Sequence, residues 1–259
     1  MVGIWDSKRC QFAARIAAWH ALLSVAIALL AGLLVFKGWY TPPFAQMLGV
    51  NALIALLIAV DLVCGPFLNF LLSNPRKTRK ALLVDWISIA LIQLGALTYG
   101  MYALWEARPV MIVFEIDRLV VVTANEISKE QLSEALLEFQ KLPQVGVKFA
   151  STRLPRDPDE RFKSLDMSLQ GIEPSSRPDW WIPYLNQQSN IRARAQPLLD
   201  LAKRRPDQAA SLIKIARQTS RDETTLLYLP LTSRHTKDWV AILDATTLEP
   251  LGYAPVDGF

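Results

Sequence analysis

The sequence predicts a membrane protein: a three-helix transmembrane bundle followed by a small α+β domain with a mainly antiparallel sheet. Hydrophobic residues make up 51% of the chain, but charged residues are scarce between Phe12 and Trp105 and frequent from Glu106 onward. Three apolar stretches in the first part reach the length of about 20 residues that a helix needs to cross roughly 30 Å of hydrocarbon. We therefore expect a transmembrane domain over residues 1–107 and an exported domain over residues 108–259.

The predicted spans cover residues 12–36, 44–72 and 81–105. The first span follows basic residues, as the apolar part of a signal peptide does. Its apolar part is too long for that, and the FKGWYTPP sequence at its end offers no small residues at the spacing of a cleavage site. We interpret it as an uncleaved anchor. The alternative is three core helices of a soluble protein, which would leave these segments no polar face to expose.

Lys and Arg are concentrated before the first span and between the second and third spans. The loop between the first two spans contains only Lys37. Because cytoplasmic loops are enriched in Lys and Arg, the N-terminus and the second loop are predicted to be cytoplasmic, and three crossings then place the C-terminal domain on the far side. A basic loop of this kind also attracts anionic membrane lipid. Its residues are Arg76, Lys77, Arg79 and Lys80.

Cysteine content and charge exclude two classes of interaction. Cys10 and Cys64 both fall in the membrane part, so the exported domain contains no disulfide. The basic residues outside the second loop are scattered and match no nucleic-acid-binding motif. We expect no nucleic acid among the partners.

The exported domain shows an alternation of strand and helix patterns. Residues 109–124 are rich in Val and Ile, which predicts one long strand or a tight pair of strands. ISKEQLSEALLEFQKL predicts a helix capped by Ser128, with Gln131 completing a capping box. VGVKFAST predicts a strand and DPDERFKSLDMSLQ a short helix. After a proline-rich connection, the sequence predicts helices over residues 191–204 and 206–219, the strand TTLLYLPL, and a hairpin with its turn around residues 245–247.

The exported domain contains no motif that indicates catalysis, a metal or a cofactor. Asp157, Asp159 and Glu160 stand at a predicted helix start, where acidic residues favour the helix dipole. Trp180 and Trp181 form either an exposed aromatic anchor or part of the domain's own core. We expect neither enzymatic activity nor a bound cofactor.

Polar residues inside the predicted spans are the candidate functional site. A charged residue in the middle of a bilayer costs about 2.5–3.5 kcal/mol, so Asp61 is expected to face other helices and to have a partner. Depth along each helix places His20, Asp61 and Gln93 near one level, one from each span. Gly65 and Pro66 follow Asp61 and are predicted to break the second helix locally.

Three roles remain open for this group: a polar cluster that fixes helix packing, a docking point for the helix of a partner, and a path for protons. The third role predicts a water path through His20 and Asp61. Asp85 differs from Asp61, because it lies near the cytoplasmic end of the third span and is expected to pair with Arg79 or Lys80.

The chain resembles the type IV pilin accessory proteins (the TfpX/TfpZ group) in five ordered motifs: KRCQFAARIAAWHALLS, LVFKGWYTPPF, VDLVCGPFLNFLLSNPRK, VDWISIALIQLGALTYGMY and ARPVMIVFEIDRLVVVTANEI. The resemblance covers about residues 8–127. It departs from the family pattern at Thr41-Pro42-Pro43 and at Asn69. Carried over position by position, the motif residues are His20, Trp39, Tyr40, Asp61, Gly65, Pro66, Asp85, Gln93, Tyr99, Gly100, Arg108, Pro109, Asp117 and Arg118.

The resemblance implies an inner-membrane protein of piliated Gram-negative bacteria, with a periplasmic C-terminal domain, that helps a cognate pilin reach the fibre. The implied partners are the membrane helix and periplasmic head of that pilin, inner-membrane lipid and the pilus assembly machinery. The implied effect is on pilin stability, assembly or retraction.

Two other functions compete with this one. The first is an envelope enzyme that modifies pilin, which requires polar groups clustered near Arg108, Asp117 and Arg118. We expect these three residues instead to form salt bridges at the junction between the domain and the membrane. The second is a small proton-coupled membrane protein.

Overall fold

The computed structural model describes residues 7–219 and 221–259. These residues form two compact units. The helical unit contains the described residues up to Thr41 together with Gly49–Glu106, and the soluble unit contains Pro42–Leu48 together with Ala107–Phe259. The first consists of long apolar helices and the second of a mixed sheet with short helices, which confirms the predicted fold class.

The helical unit consists of α1 (Ser7–Leu34), α3 (Asn51–Leu72) and α4 (Arg79–Glu106), and a π-helical turn, Val35–Trp39, extends α1. All three helices are long and apolar enough to cross a membrane. Their outward faces expose large apolar side chains from Trp19 to Leu34 in α1, from Leu53 to Leu72 in α3 and from Leu83 to Tyr102 in α4. A continuous apolar surface of this kind is suited to lipid and not to water.

α3 packs against both α1 and α4. At one end of the unit, the Tyr40 hydroxyl donates to the backbone carbonyl of Leu104 over 2.9 Å. The rings of Trp39 and Trp105 meet edge to face beside it, with their centroids 5.2 Å apart. These contacts tie the end of the first span to the end of the third.

The predicted start of the second span at residue 44 is wrong. Phe44–Met47 forms a separate short helix, α2, and the spanning helix begins at Asn51. Gly49 has a φ of 67°, a left-handed conformation that interrupts the helix between the two. Phe44 and Met47 are buried as part of the soluble unit, so their apolar character serves packing and not lipid contact.

The soluble unit is built on one eight-stranded sheet with the order β4-β3-β1-β2-β6-β7-β8, in which β5 also pairs with β6. β1 pairs with β3, and β2 with β6, in parallel; the other five pairings are antiparallel. The strands are β1 (Pro109–Glu115), β2 (Arg118–Thr123), β3 (Lys148–Thr152), β4 (Trp181–Pro183), β5 (Gln196–Pro197), β6 (Leu226–Thr232), β7 (Trp239–Asp244) and β8 (Pro250–Ala254).

Two apolar clusters hold this unit together. One lies where α8 and α9 cover the β6–β8 half of the sheet, and the other joins β1, β2 and β3 to Phe139 and Trp181. The two rings of the second cluster meet edge to face at 5.9 Å. The helices of the unit, besides α2, are α5 (Lys129–Glu134), α6 (Pro158–Leu169), α7 (Gln188–Arg194), α8 (Leu198–Arg204) and α9 (Pro206–Gln218).

Several local predictions are confirmed. Residues 109–124 form a tight pair of strands, with a turn at Ile116. Asp157 caps α6 by accepting a hydrogen bond from the backbone N–H of Glu160 at 2.7 Å. Trp180 and Trp181 are buried, so they belong to the core and are not an exposed anchor.

Two helix predictions are wrong in extent. Ser128 caps α5 as expected, but the helix ends at Glu134, because Ala135 is extended and Phe139 turns inward to pack on Trp181. The predicted capping box is found instead at Thr123, five residues before Ser128. The predicted helix over residues 191–204 is split into α7 and α8 by β5, because Pro197 cannot donate the hydrogen bond that would continue α7.

Candidate functional site

One face of α3 is buried in the helical unit and contains polar residues. Asp61, Gly65 and Asn69 recur at intervals of four residues, which places them on one side of an α-helix. All three are buried, and only 9% of Asp61 and 2% of Asn69 is exposed. Val63 and Phe67, between them in sequence, point outward.

Asn69 joins α3 to α1. Its Nδ2 atom lies 2.5 Å from Nδ1 of His20 and also donates to the backbone carbonyl of Gly65 over 3.3 Å. Because an amide nitrogen donates and does not accept, Nδ1 of His20 is the acceptor of this hydrogen bond. The hydrogen bond of His20 therefore goes to a residue that the sequence did not single out as a partner.

Gln93 joins α4 to α3. Its Nε2 atom donates to the backbone carbonyl of Asp61 over 3.2 Å. The amide group lies directly against Gly65, where a β-carbon would overlap with it. Leu57 makes a similar close approach to Gly100. The two glycines let α3 and α4 lie close together, as small residues commonly do between membrane helices.

A cleft opens between α1 and α4, with Asp61 at its floor. His20, Ser24 and Ile27 line the α1 side, and Gln93 lines the α4 side. Asp61 is the one α3 residue among those that line it, and the volume is about 120 Å³. The structure thus brings the three predicted residues, His20, Asp61 and Gln93, to one cleft.

The predicted helix break at Gly65 and Pro66 is wrong. α3 continues without interruption from Asn51 to Leu72, with Pro66 inside it. A proline removes one backbone N–H and leaves the carbonyl of Leu62, four residues earlier, without its helical donor. The other hydrogen bonds of the helix persist, because apolar surroundings offer no replacement for them.

The basic loop between α3 and α4 is exposed except at Lys77. Asp85 pairs with Lys77, whose Nζ lies 2.6 Å from its Oδ2, and not with Arg79 or Lys80 as predicted. Arg79 and Lys80 stand six and five residues before Asp85 in α4, so they lie on a different side of the helix from it. Lys77 precedes the helix, and its side chain reaches back to Asp85. Arg79 and Lys80 remain available to lipid headgroups.

The predicted junction group, Arg108, Asp117 and Arg118, is not one cluster. Asp117 and Arg118 pair with each other over 2.8 Å at the β1–β2 turn. Arg108 precedes the other end of β1 and donates to the backbone carbonyl of Pro143. A seven-residue strand of roughly 3.3 Å per residue separates the two positions.

A charged cluster in the soluble unit surrounds Trp180. The guanidinium groups of Arg153 and Arg177 lie 4.5 and 4.3 Å from its ring centroid. Burial lowers the pKa of Arg177, and the hydrogen bonds from Arg153 lower the pKa of Glu160 to about 2. Because Glu160 belongs to α6 and Arg153 follows β3, this cluster attaches α6 to the sheet.

Known proteins resemble this chain along most of its length. It is 34% identical over 250 residues to a fimbrial assembly protein of serogroup I of Dichelobacter nodosus, with 92% of this chain and 93% of that protein covered. A fimbrial assembly protein of serogroup E1 of the same organism is 35% identical over 240 residues, with the same coverage. The chain belongs to the fimbrial assembly protein family. No solved structure matches it.

Membership in the fimbrial assembly family confirms the predicted resemblance to the accessory proteins of type IV pilus assembly. The family model described as fimbrial assembly protein FimB matches residues 8–49, which contain all of α1 except Ser7 and so include the His20 side of the cleft. A shorter relative, the fimbrial assembly protein of serogroups C1 and C2, is 40% identical over 130 residues and covers 50% of this chain.

Asn69 is the residue of the site that sequence reasoning missed in this fimbrial assembly protein. It was noted only as a departure from the family pattern. The spacing in the sequence does indicate Asn69, because it stands eight residues after Asp61 and four after Gly65, on the same side of a helix. Its buried amide is hydrogen-bonded to Nδ1 of His20, so this hydrogen bond of His20 does not go to Asp61.

Proposed function

We propose that this protein is an inner-membrane accessory of type IV pilus biogenesis that binds its cognate pilin and assists pilin stability, assembly or retraction. Family membership supports a role in pilus biogenesis. To this role the proposal adds three points: the protein contacts pilin directly, it lies in the inner membrane, and its soluble unit is in the periplasm. Inner-membrane lipid and the assembly machinery are the further proposed partners, and no nucleic acid is among them.

The observation that carries the proposal is the mainly apolar cleft between α1 and α4, which has Asp61 among its lining residues. A pilin held in the membrane by an apolar helix and carrying a soluble head needs a partner with both a membrane part and a soluble part. This chain has one unit of each kind. The cleft supplies a place for the helix, and the soluble unit contacts the head.

The proposed orientation has the basic loop in the cytoplasm and the soluble unit in the periplasm. Arg76, Lys77, Arg79 and Lys80 support it through the preference of cytoplasmic loops for positive charge. Residues 42–48, which connect the first two spans, belong to the same compact unit as residues 107–259. This shared unit supports three crossings, which put both segments on one side of the membrane.

Co-purification tests the proposal directly. The tagged full chain, extracted from membranes of a piliated cell in mild detergent, is expected to carry the cognate pilin with it. An unrelated three-span membrane protein with the same tag is the control. Deletion of the gene separates the modes of action: loss of fibres with pilin still in the membrane indicates assembly, and loss of pilin itself indicates stabilisation. If wild-type chain recovers no more pilin than the control protein, direct binding is wrong.

A further inference from the structure

Two of the polar side chains that line the cleft, His20 and Gln93, hold the helices together. His20 is bonded to Asn69. The amide of Gln93 is bonded to the backbone carbonyl of Asp61 and packs on Gly65. These contacts account for the packing of α3 against its two neighbours, and none of them uses the side chain of Asp61.

The carboxylate of Asp61 has no hydrogen bond or ion pair with any residue in 7–219 or 221–259. It is nevertheless nine-tenths buried, with 9% of its surface exposed, and lies at the floor of the cleft. A buried carboxylate without a donor is strongly unfavourable, and more so where lipid surrounds the helices. A hydrogen-bond donor from outside the described residues would offset this unfavourable free energy.

The walls of the cleft indicate what carries that donor. Leu23, Ile27, Leu94 and Leu97 line it together with the polar residues, so its surroundings are apolar. α1 and α4 flank α3, and the open side between them is the position that a fourth helix takes in a helix bundle. A volume of about 120 Å³ accommodates a side chain of that helix beside Asp61.

We infer that Asp61 is the acceptor for a hydrogen-bond donor carried by the membrane helix of pilin, which lies in the cleft between α1 and α4. The inference rests on the proposed function and specifies its chemistry: the pilin helix presents an N–H or O–H group at the depth of Asp61. His20, Asn69 and Gln93 are positioning residues that hold the cleft open and do not contact the donor.

The test compares two carboxylates of the same helical unit. Asp61→Leu removes the unpaired acceptor, and Asp85→Leu removes a carboxylate that Lys77 already neutralises. A hydrogen bond between membrane helices corresponds to about a 3- to 20-fold change in binding. Asp61→Leu is therefore expected to lower pilin recovery by that factor, and Asp85→Leu to leave it unchanged. Equal recovery by wild type and both variants would overturn the inference while the proposed function stands.

Photo-crosslinking covers the case in which Asp61→Leu does not fold. A photoreactive phenylalanine derivative replaces Leu94 at the rim of the cleft or Leu56, which is exposed on α3 away from it, in the otherwise wild-type chain. Crosslinks to pilin are expected from position 94 and not from position 56. Equal crosslinking from both positions, or crosslinking from neither in a preparation that contains pilin, contradicts occupancy of the cleft. Absence of pilin from the wild-type preparation counts instead against the proposed function.

Discussion

Glu115 shows how burial changes the chemistry of a single side chain. It ends β1 and is 8% exposed, and its Oε2 accepts a hydrogen bond from the backbone N–H of Ser175 at 2.9 Å. Burial raises its pKa above the usual value of 4.5, and the hydrogen bonds with Ser175 only partly offset that effect. The folded chain therefore holds this proton more tightly than the unfolded chain does.

We predict that Glu115→Gln makes the stability of the folded chain less dependent on pH. In the wild type, protonated Glu115 favours folding at low pH, and this contribution is lost as the pH rises through the raised pKa. The stability of Glu115→Gln relative to wild type should consequently increase between about pH 4.5 and pH 7. Thermal unfolding of the full chain in detergent, followed by tryptophan fluorescence, measures the difference in Tm.

The control for this prediction is Glu249→Gln, which changes an exposed carboxylate in the turn after β7. A difference in Tm between Glu115→Gln and wild type that stays constant over this pH range would contradict the assigned cause.

In the membrane part, the sequence indicates which polar residues are candidates for the site more readily than it indicates which of them pair. Asp61, His20 and Gln93 stand out because each interrupts an apolar segment. Which of them pair depends on the rotation of each helix about its axis, and the apolar residues on every side of these helices leave that rotation undetermined. The Asn69–His20 hydrogen bond is therefore a result of packing and not of the local sequence.

At the scale of elements, α6 has an unusual orientation. Its inner face is polar: Ser164 is buried within reach of Arg177, and Glu160 is bonded to Arg153. Its outer face is apolar: Phe162, Leu165 and Leu169 are 73%, 60% and 81% exposed. Polar contacts, and not burial of an apolar stripe, hold this helix on the unit.

We predict that two neighbouring substitutions in α6 differ in their effect on stability. Leu165→Ser should change the free energy of unfolding by less than about 0.5 kcal/mol, because the side chain is exposed. Ser164→Leu should cost about 1–3 kcal/mol, since it forces a larger side chain into a packed site beside Arg177. Urea unfolding of the two full-length variants in detergent makes the comparison. A larger loss for Leu165→Ser than for Ser164→Leu would show that the orientation is reversed.

The sequence predicted most elements of the soluble unit in the correct order, and the errors have local causes. Strands rich in Val and Ile and the capped start of α6 were found from pattern alone. The end of α5 was missed because Phe139 fits the helical spacing but packs on Trp181 from an extended segment. Here a tertiary contact overrides local propensity, which pattern analysis does not capture.

At the scale of the whole molecule, the topology is directly testable. A reporter that is active only outside the cytoplasm should function when fused after Phe259 and should be inactive when fused after Arg76 in the basic loop. The reason is that an odd number of spans separates the two positions. A C-terminal reporter that works only in the cytosol would reverse the proposed orientation and remove the contact with the pilin head.

The division of the chain into a membrane part and a soluble part was predictable from composition, because charge density changes at Glu106. The assignment of residues 42–48 was not. Their apolar side chains match both lipid contact and protein packing, and only the folded structure distinguishes the two.

Phe44, in the connection between the first two spans, packs its ring against Tyr253 in the last strand, with the centroids 5.7 Å apart. The ribosome releases the first of these residues long before the second, and two more spans must be inserted in between. The soluble unit is thus assembled from an early and a late segment that meet only after both have been delivered to the same compartment. A chain in which only one of these two helices enters the bilayer leaves the two segments on opposite sides, so a complete core requires that both helices cross or that neither does.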